Sequence, residues 1–452
     1  MAAIQLKNKT LVAILQQSKD LFGKKIFIKY YREDRFMDIS FEDFADEASR
    51  IGKGLIAKGL KKGDRVAILS ENRPEWAVSY LGVLCAGGIN VPLDALLKIS
   101  AWSHIIRSSG ARILIISKSF LPEFEQISDE LALDHIICME KPEAGSAALA
   151  FSLIEEIGSN HAGDTPRIKP DDLAAILYTS GTTGQAKGVM LSHENIVSDI
   201  DGMLAMIDIQ PNDRFLSVLP MHHTFECTCG FLTPLAGGAS IAYGRGLASK
   251  LIIEDIRSNN CTVLLGVPLL FEKMHAGIFR AIAKKPPFTR LMFNASYLVS
   301  RLLSGLLGAD VGKSIFRGLR EKAGLSSLRL LVTGGAPMPP EVSRAFNLLG
   351  FTFVQGYGLT EAAPVLTINP LGRFKDASIG LPLPSVELKV VATDSRGIGQ
   401  LIARGPMVMR GYYENPEATE EVLKDGWLYT GDSGWVDEEG YFYIAGRVKN
   451  VI

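Results

Sequence analysis

Cysteine is scarce in this sequence: five in 452 residues, and Cys85, Cys138, Cys227, Cys229 and Cys261 are dispersed along the chain. That pattern excludes a disulfide scaffold and reads as reduced, mostly buried thiols in a cytoplasmic protein. Cys227 and Cys229 have no metal-type partners at a familiar spacing nearby. Net charge is also nearly absent, at −1 from 48 basic and 49 acidic residues. No general electrostatic footprint for nucleic acid exists, and nucleic acid is not expected as a partner. No uncharged apolar run reaches the ~20 residues that cross a bilayer. The best candidate, Leu291 to Val311, is broken by Arg301 and Asp310. The first residues turn polar at Gln5 and Lys7 before any signal-type apolar stretch develops. There is no internal repeat and no low-complexity tract.

What is present is a hydrophobic fraction of 47% against 21% charged, the balance of a well-cored globular chain. The length suggests roughly three domain-sized units. Helical and extended patterns alternate from the start: a helix over Leu11 to Leu21, a strand over Lys25 to Tyr31, a helix-start signal at Ser40. Further strands are expected at Arg65 to Leu69 and Arg112 to Ile116, with helices over Glu75 to Ala86 and Trp102 to Ser109. Such alternation predicts α/β layers around a largely parallel sheet. Residues 141–170, rich in Pro, Ala, Gly and Asp, read as a surface connection. A second α/β unit follows, with strands at Arg214 to Leu219, Ser240 to Tyr243, Val263 to Val267 and Leu328 to Thr333. From about Ser378, short strands separated by Gly, Pro and Asp turns predict a small β subdomain resembling a barrel. The expected fold class is therefore α/β, with two doubly wound, mainly parallel subdomains (1–190 and 191–377) and the β subdomain at 378–446.

One stretch organises the rest. Leu173 to Leu177 is short and apolar enough for a buried strand, and it runs into Tyr178-Thr179-Ser180-Gly181-Thr182-Thr183-Gly184-Gln185-Ala186-Lys187-Gly188. Glycines free backbone N–H groups to converge, the hydroxyls add donors, and Lys187 adds a positive charge: a nest for polyphosphate. Ser192 then suits an N-cap. An ordinary Ser/Thr/Gly surface turn is the plainer reading of that composition. The common nucleotide P-loop does not fit, because Ala186 stands where it needs glycine and Gly188 where it needs Ser or Thr.

The Ser-Gly-Thr-Thr-Gly run with its following Lys-Gly-Val resembles the phosphate loop of the acyl-adenylate-forming, AMP-binding superfamily. That group includes acyl-CoA synthetases, luciferases and peptide adenylation domains. Later motifs agree in order, from roughly Phe41 to Ile452. Adjacent histidines on extended chain point opposite ways, and the sequence offers no clear third ligand for a metal at His222 and His223. The His222-His223-Thr224-Phe225-Glu226 segment resembles long-chain fatty acyl-CoA synthetases, and His223 matches the position beside the acyl carboxylate. By the same resemblance Gly335, Ala336 and Pro337 lie against adenine. Within Gln355-Gly356-Tyr357-Gly358-Leu359-Thr360-Glu361, Tyr357 stacks on the base and Thr360 meets the α-phosphate. Glu361, with Thr179, holds Mg²⁺. Asp432 grips the ribose, Arg447 contacts ribose or phosphate, and Lys449 is the hinge residue.

The resemblance implies a ligase that uses ATP and Mg²⁺ to turn a fatty acid into acyl-AMP and then transfers the acyl group to CoA. Thr182, Lys187 and Glu361 are its expected catalytic positions. Alternatives are a fatty acyl-AMP ligase, an acyl-carrier-protein synthetase, or a non-catalytic nucleotide- or acyl-binding homologue. Residues 447–452 are expected to form a hinge to a small C-terminal domain of ~100 residues that the sequence lacks. A basic, apolar region at 279–325 is read as amphipathic helices, with peripheral contact to anionic membrane as the sharper alternative. The oligomeric state, dimer included, stays open.

Overall fold

The computed structural model describes Leu6 and residues 8–179, 186–307 and 310–448. These residues form three sheets. The first has eight strands, with Ile89–Leu93, Arg65–Leu69, Ile113–Ile116 and His135–Cys138 parallel at its centre. Leu173–Thr179 joins that centre in parallel through Asn90 and Ala175, and Lys187–Ser192 then folds back antiparallel as a hairpin. The second sheet has nine strands, ordered outward from Arg214–Ser217 to Val263–Gly266, Leu330–Thr333 and Thr352–Gly358 on one side. The third is antiparallel and built on Gly399–Arg404, Trp427–Val436 and Phe442–Arg447. Buried strands such as Ile113–Ile116 and Leu330–Thr333 are continuous apolar runs, as parallel strands covered on both faces must be.

Sheet membership does not follow chain order. The Ile26–Arg32 and Arg35–Ser40 hairpin joins the second sheet, where Ile28 lies opposite Ile241. Gly411–Tyr412, from the end of the chain, pairs with Lys187–Ser192 at the edge of the first.

The helix starts read from sequence are built as expected. Ser40 caps Phe41–Ala57 by accepting from the Asp43 N–H. Ser192 caps His193–Met206, with Asn195 closing a reciprocal capping box. The 141–170 stretch departs from the expected connection: it holds the short strand Leu149–Ala150 and a helix, Phe151–Asn160. Its inward face is Phe151, Ile154 and Gly158, a helical spacing hidden by the Pro- and Gly-rich flanks. The helix lies against Phe41–Ala57 so closely that a Cβ at Gly158 would sit 1.8 Å from the Arg50 carbonyl oxygen. Glycine at that contact is required by the approach of two backbones.

Candidate active site

The phosphate-type loop joins the two strands of the Leu173–Thr179 and Lys187–Ser192 hairpin, with Thr179 directly opposite Lys187. Ser180, Gly181, Thr182, Thr183 and Gly184 lie outside the described residues. The Lys187 ammonium stands 5.1 Å from the centre of the Tyr412 ring. The Tyr412 hydroxyl in turn donates to Glu361 Oε1 at 2.7 Å. Burial first, and then the Glu361 carboxylate, push the Tyr412 phenol well above its ordinary pKa, so it stays a donor. The Met409 N–H donates to the Glu361 carbonyl at 2.8 Å, fixing the same residue from the main chain. Residues 409–412 thus join the phosphate hairpin to Glu361. Sequence reasoning missed Tyr412, which carries no motif and looks like any strand aromatic.

A second cluster forms where the second and third sheets meet. The Tyr357 hydroxyl donates to Asp432 Oδ2 at 2.6 Å, and Arg447 Nε lies 3.0 Å from Asp432 Oδ1. Asp432 and Arg447 are register partners on adjacent antiparallel strands. Burial, reinforced by Asp432, holds the Tyr357 phenol well above its ordinary pKa. Gln355 is buried beneath, while Gly335, Ala336 and Pro337 form an exposed turn after the Leu330–Thr333 strand. Gly335 takes φ +80° with open space where a Cβ would be. Gly358 is needed for a different reason: a Cβ there would lie 1.8 Å from the Pro364 carbonyl oxygen. Thr360 and Glu361 start a short 3-10 turn immediately beyond, both half-buried. Lys449 lies outside the described residues.

Tyr357 and Thr360 also border a largely apolar cavity of about 380 Å³. His223, Phe225, Phe215 and Leu265 line one part of it, and Gly335, Tyr357 and Thr360 another. The volume falls in the range of small-molecule sites. Glu226 also lines it, fully buried, with its carboxyl accepting from the Ser217 hydroxyl. Burial pushes the Glu226 carboxyl up to about 8, so it is protonated at neutral pH.

The histidine pair corrects the reading made from sequence. His222 and His223 occupy a turn closed by the His223 N–H donating to the Pro220 carbonyl at 3.1 Å, not extended chain. Their ring centroids therefore sit only 4.2 Å apart. A third donor is present as well: Asp94, on the turn after Ile89–Leu93, lies 3.3 Å from His222 Nε2. No local spacing announces it, because the contact spans the two parallel sheets. Burial lowers both imidazoles, His222 to about 4, so both are neutral at pH 7.

A nucleotide-type hairpin, a carboxylate-bearing turn and an apolar cavity therefore share one site, and the family profile described as AMP-binding enzyme matches residues 15–413. The chain belongs to the AMP-binding enzyme family. Among its relatives in that family is a long-chain-fatty-acid–CoA ligase of Bacillus subtilis, 29% identical over 99% of this chain and 78% of the relative. Another, of the same description, comes from Escherichia coli O157:H7: 32% identical over 87% of this chain and 69% of the relative. The AMP-binding fold is also seen in ATP-bound MatB from Rhodopseudomonas palustris, with TM-score 0.78 and 27% identity, covering 98% of this chain and 80% of that one. A long-chain-fatty-acid-CoA ligase from Archaeoglobus fulgidus has the same fold, with TM-score 0.81 at 21% identity over 99% of this chain and 86% of that one.

Proposed function

We propose that this AMP-binding enzyme is an AMP-forming fatty acid–CoA ligase. In the first step a fatty carboxylate oxygen attacks the α-phosphorus of ATP, the bond to the β-phosphate oxygen breaks, and pyrophosphate leaves. In the second, the CoA thiolate attacks the acyl carbonyl and the bond to AMP breaks. The observation that carries this reading is that one cavity is lined both by apolar side chains suited to an acyl chain and by residues of the adenylate-type motifs, Gly335, Tyr357 and Thr360.

The roles proposed are those that the family resemblance implies. Lys187 and the 180–185 loop would hold the departing phosphates, with Thr182 within that loop. Gly335, Ala336, Pro337, Gln355, Gly356, Tyr357 and Gly358 would frame adenine; Asp432, presented by Tyr357 and Arg447, would take the ribose hydroxyls. His223 would meet the acyl carboxylate and Thr360 the α-phosphate. Glu361 and Thr179 offer the hard oxygen donors that Mg²⁺ prefers, so the donor set fits that ion. Bound there with ATP, Mg²⁺ supplies neutralisation of phosphate charge. The protein's share is positioning and excluding water.

Pyrophosphate release measured across a series of acids tests the proposal. Each buried methylene adds ~0.8 kcal/mol, so apparent affinity should climb with chain length until the cavity is full. Preference for acetate- or benzoate-sized acids over those of about ten or more carbons would overturn it.

We also infer that the helix Pro287–Leu307 meets an anionic membrane surface. No helix among the described residues is long and apolar enough to cross a membrane. This helix packs inward through Phe293 and Ser300, yet Phe288, Leu291, Leu298 and Leu302 on its opposite face are 55–73% exposed. Exposed Lys284, Lys285 and Arg290 border that stripe. An apolar stripe flanked by cations matches an interfacial helix, and a membrane is where a fatty acid substrate partitions.

A further inference from the structure

We propose that Asp94, His222 and His223 bind one divalent first-row transition-metal ion, of which zinc is the representative, beside the cavity that His223 lines. The three donor atoms lie within 4.8 Å of one another. His222 is the central observation. Its side chain is 8% exposed, and Nε2, though 3.3 Å from Asp94 Oδ1, is buried with no hydrogen-bond partner among the described residues. A buried polar atom left unpaired is costly, and a metal ion would satisfy it. Two imidazoles and one carboxylate suit zinc and its neighbours, whereas Mg²⁺ takes oxygen donors. Imidazole ligates in its neutral form, so binding should weaken in acid.

The framework around these side chains is tied down. The Leu96 N–H donates to Asp94 Oδ1 at 2.8 Å, and Trp102 Nε1 donates to the Asp94 carbonyl at 2.8 Å. Asn72 fastens the histidine turn, donating to the Leu219 carbonyl at 2.7 Å and accepting from the Met221 N–H at 3.0 Å. Bonds of about 2.0–2.1 Å in a tetrahedral site place ligand atoms ~3.4 Å apart, a spacing His222 and Asp94 already have at 3.3 Å, so the remaining pairs must close by at most about 1.4 Å. His223 is the exposed member of the set, so that contraction falls on its side chain. Three protein ligands leave a fourth position for water, as in open zinc sites. An ion held there occupies His223, so it would compete with the fatty acid. That consequence rests on the proposed function; the binding itself does not.

The test is zinc titration of the metal-stripped full chain by calorimetry, in excess Mg²⁺. One Zn²⁺ per chain is expected, with affinity falling about tenfold or more in Asp94→Asn and in His222→Gln. Cys85→Ser, which removes the half-buried thiol, should leave binding unchanged. Circular dichroism verifies folding, and should His222→Gln not fold, Asp94→Asn and His223→Gln carry the comparison. No stoichiometric binding, or binding in Asp94→Asn and the histidine variants as tight as in the parent, overturns the site. Zinc should also raise the apparent KM for the acid and not for ATP. Site-specific binding with an unchanged acid KM would instead overturn the placing of the acyl carboxylate at His223.

Discussion

The hydroxyl of Tyr357 donates to Asp432 at 2.6 Å, joining a residue of the second sheet to one of the third across 75 positions of sequence. This bond and the Arg447 pair hold the carboxylate in one orientation before any nucleotide arrives. Tyr357→Phe should therefore raise the KM for ATP about tenfold or more, the worth of one hydrogen bond to a charged acceptor. The KM for fatty acid should stay within about twofold. Steady-state kinetics with each substrate varied would expose an equal change in both, which would count against a nucleotide-side role.

Glu361 is gripped by Tyr412 and by the Met409 N–H. Glu361→Ala should slow acyl-AMP formation at least about tenfold and shift its magnesium dependence to higher concentration. Tyr412→Phe keeps the carboxylate but frees it, so a smaller loss in the same assay is expected. Unaltered magnesium dependence in Glu361→Ala would remove Glu361 from the metal side.

Glu226 makes stability depend on pH. Its folded-state pKa, about 8, lies above the ordinary 4.5, so the folded state holds the proton more tightly. The contribution is fully present below about 4.5, falls as pH rises to about 8, and is level above that. Glu226→Gln has no such proton to lose. Its stability relative to the parent should rise through this window by at most about 1.4 kcal/mol per pH unit. Denaturant unfolding at several pH values checks this, and a flat difference would contradict the buried neutral acid.

The exposed face of Pro287–Leu307 gives a fourth prediction. The protein should sediment with anionic vesicles more than with neutral ones, and Leu298→Asp with Leu302→Asp should abolish this. Adenylation of a short soluble acid by that double variant should be unchanged. Binding that ignores vesicle charge, or survives the substitutions, would leave an ordinary amphipathic helix.

Much of this was legible in the sequence because the signals are local. Ser40 and Ser192 cap the helices expected of them, and the strands Arg65–Leu69 and Ser240–Tyr243 fall where their apolar runs lie. The Phe151–Asn160 helix was hidden because only Phe151, Ile154 and Gly158 face inward, too few to outweigh the turn-forming residues around them. Asp94 and Tyr412 were invisible for another reason. Each matters through what it meets across sheets, His222 in one case and Glu361 in the other, and pairings between distant segments leave no periodicity to read.

The pairing of Gly411–Tyr412 with Lys187–Ser192 bears on how this molecule can be divided. Asn195 strengthens it by donating to the carbonyls of Pro406 and Val408, at 2.7 and 2.9 Å. The strand leaving the phosphate loop is therefore stitched to the segment that leads into the Pro416–Val422 helix. A chimera that exchanged residues beyond 378 for those of a relative, keeping 187–195, would place foreign backbone against this edge. Grafts here should be cut so that the two segments travel together, as one inherited unit assembled from separate parts of the chain.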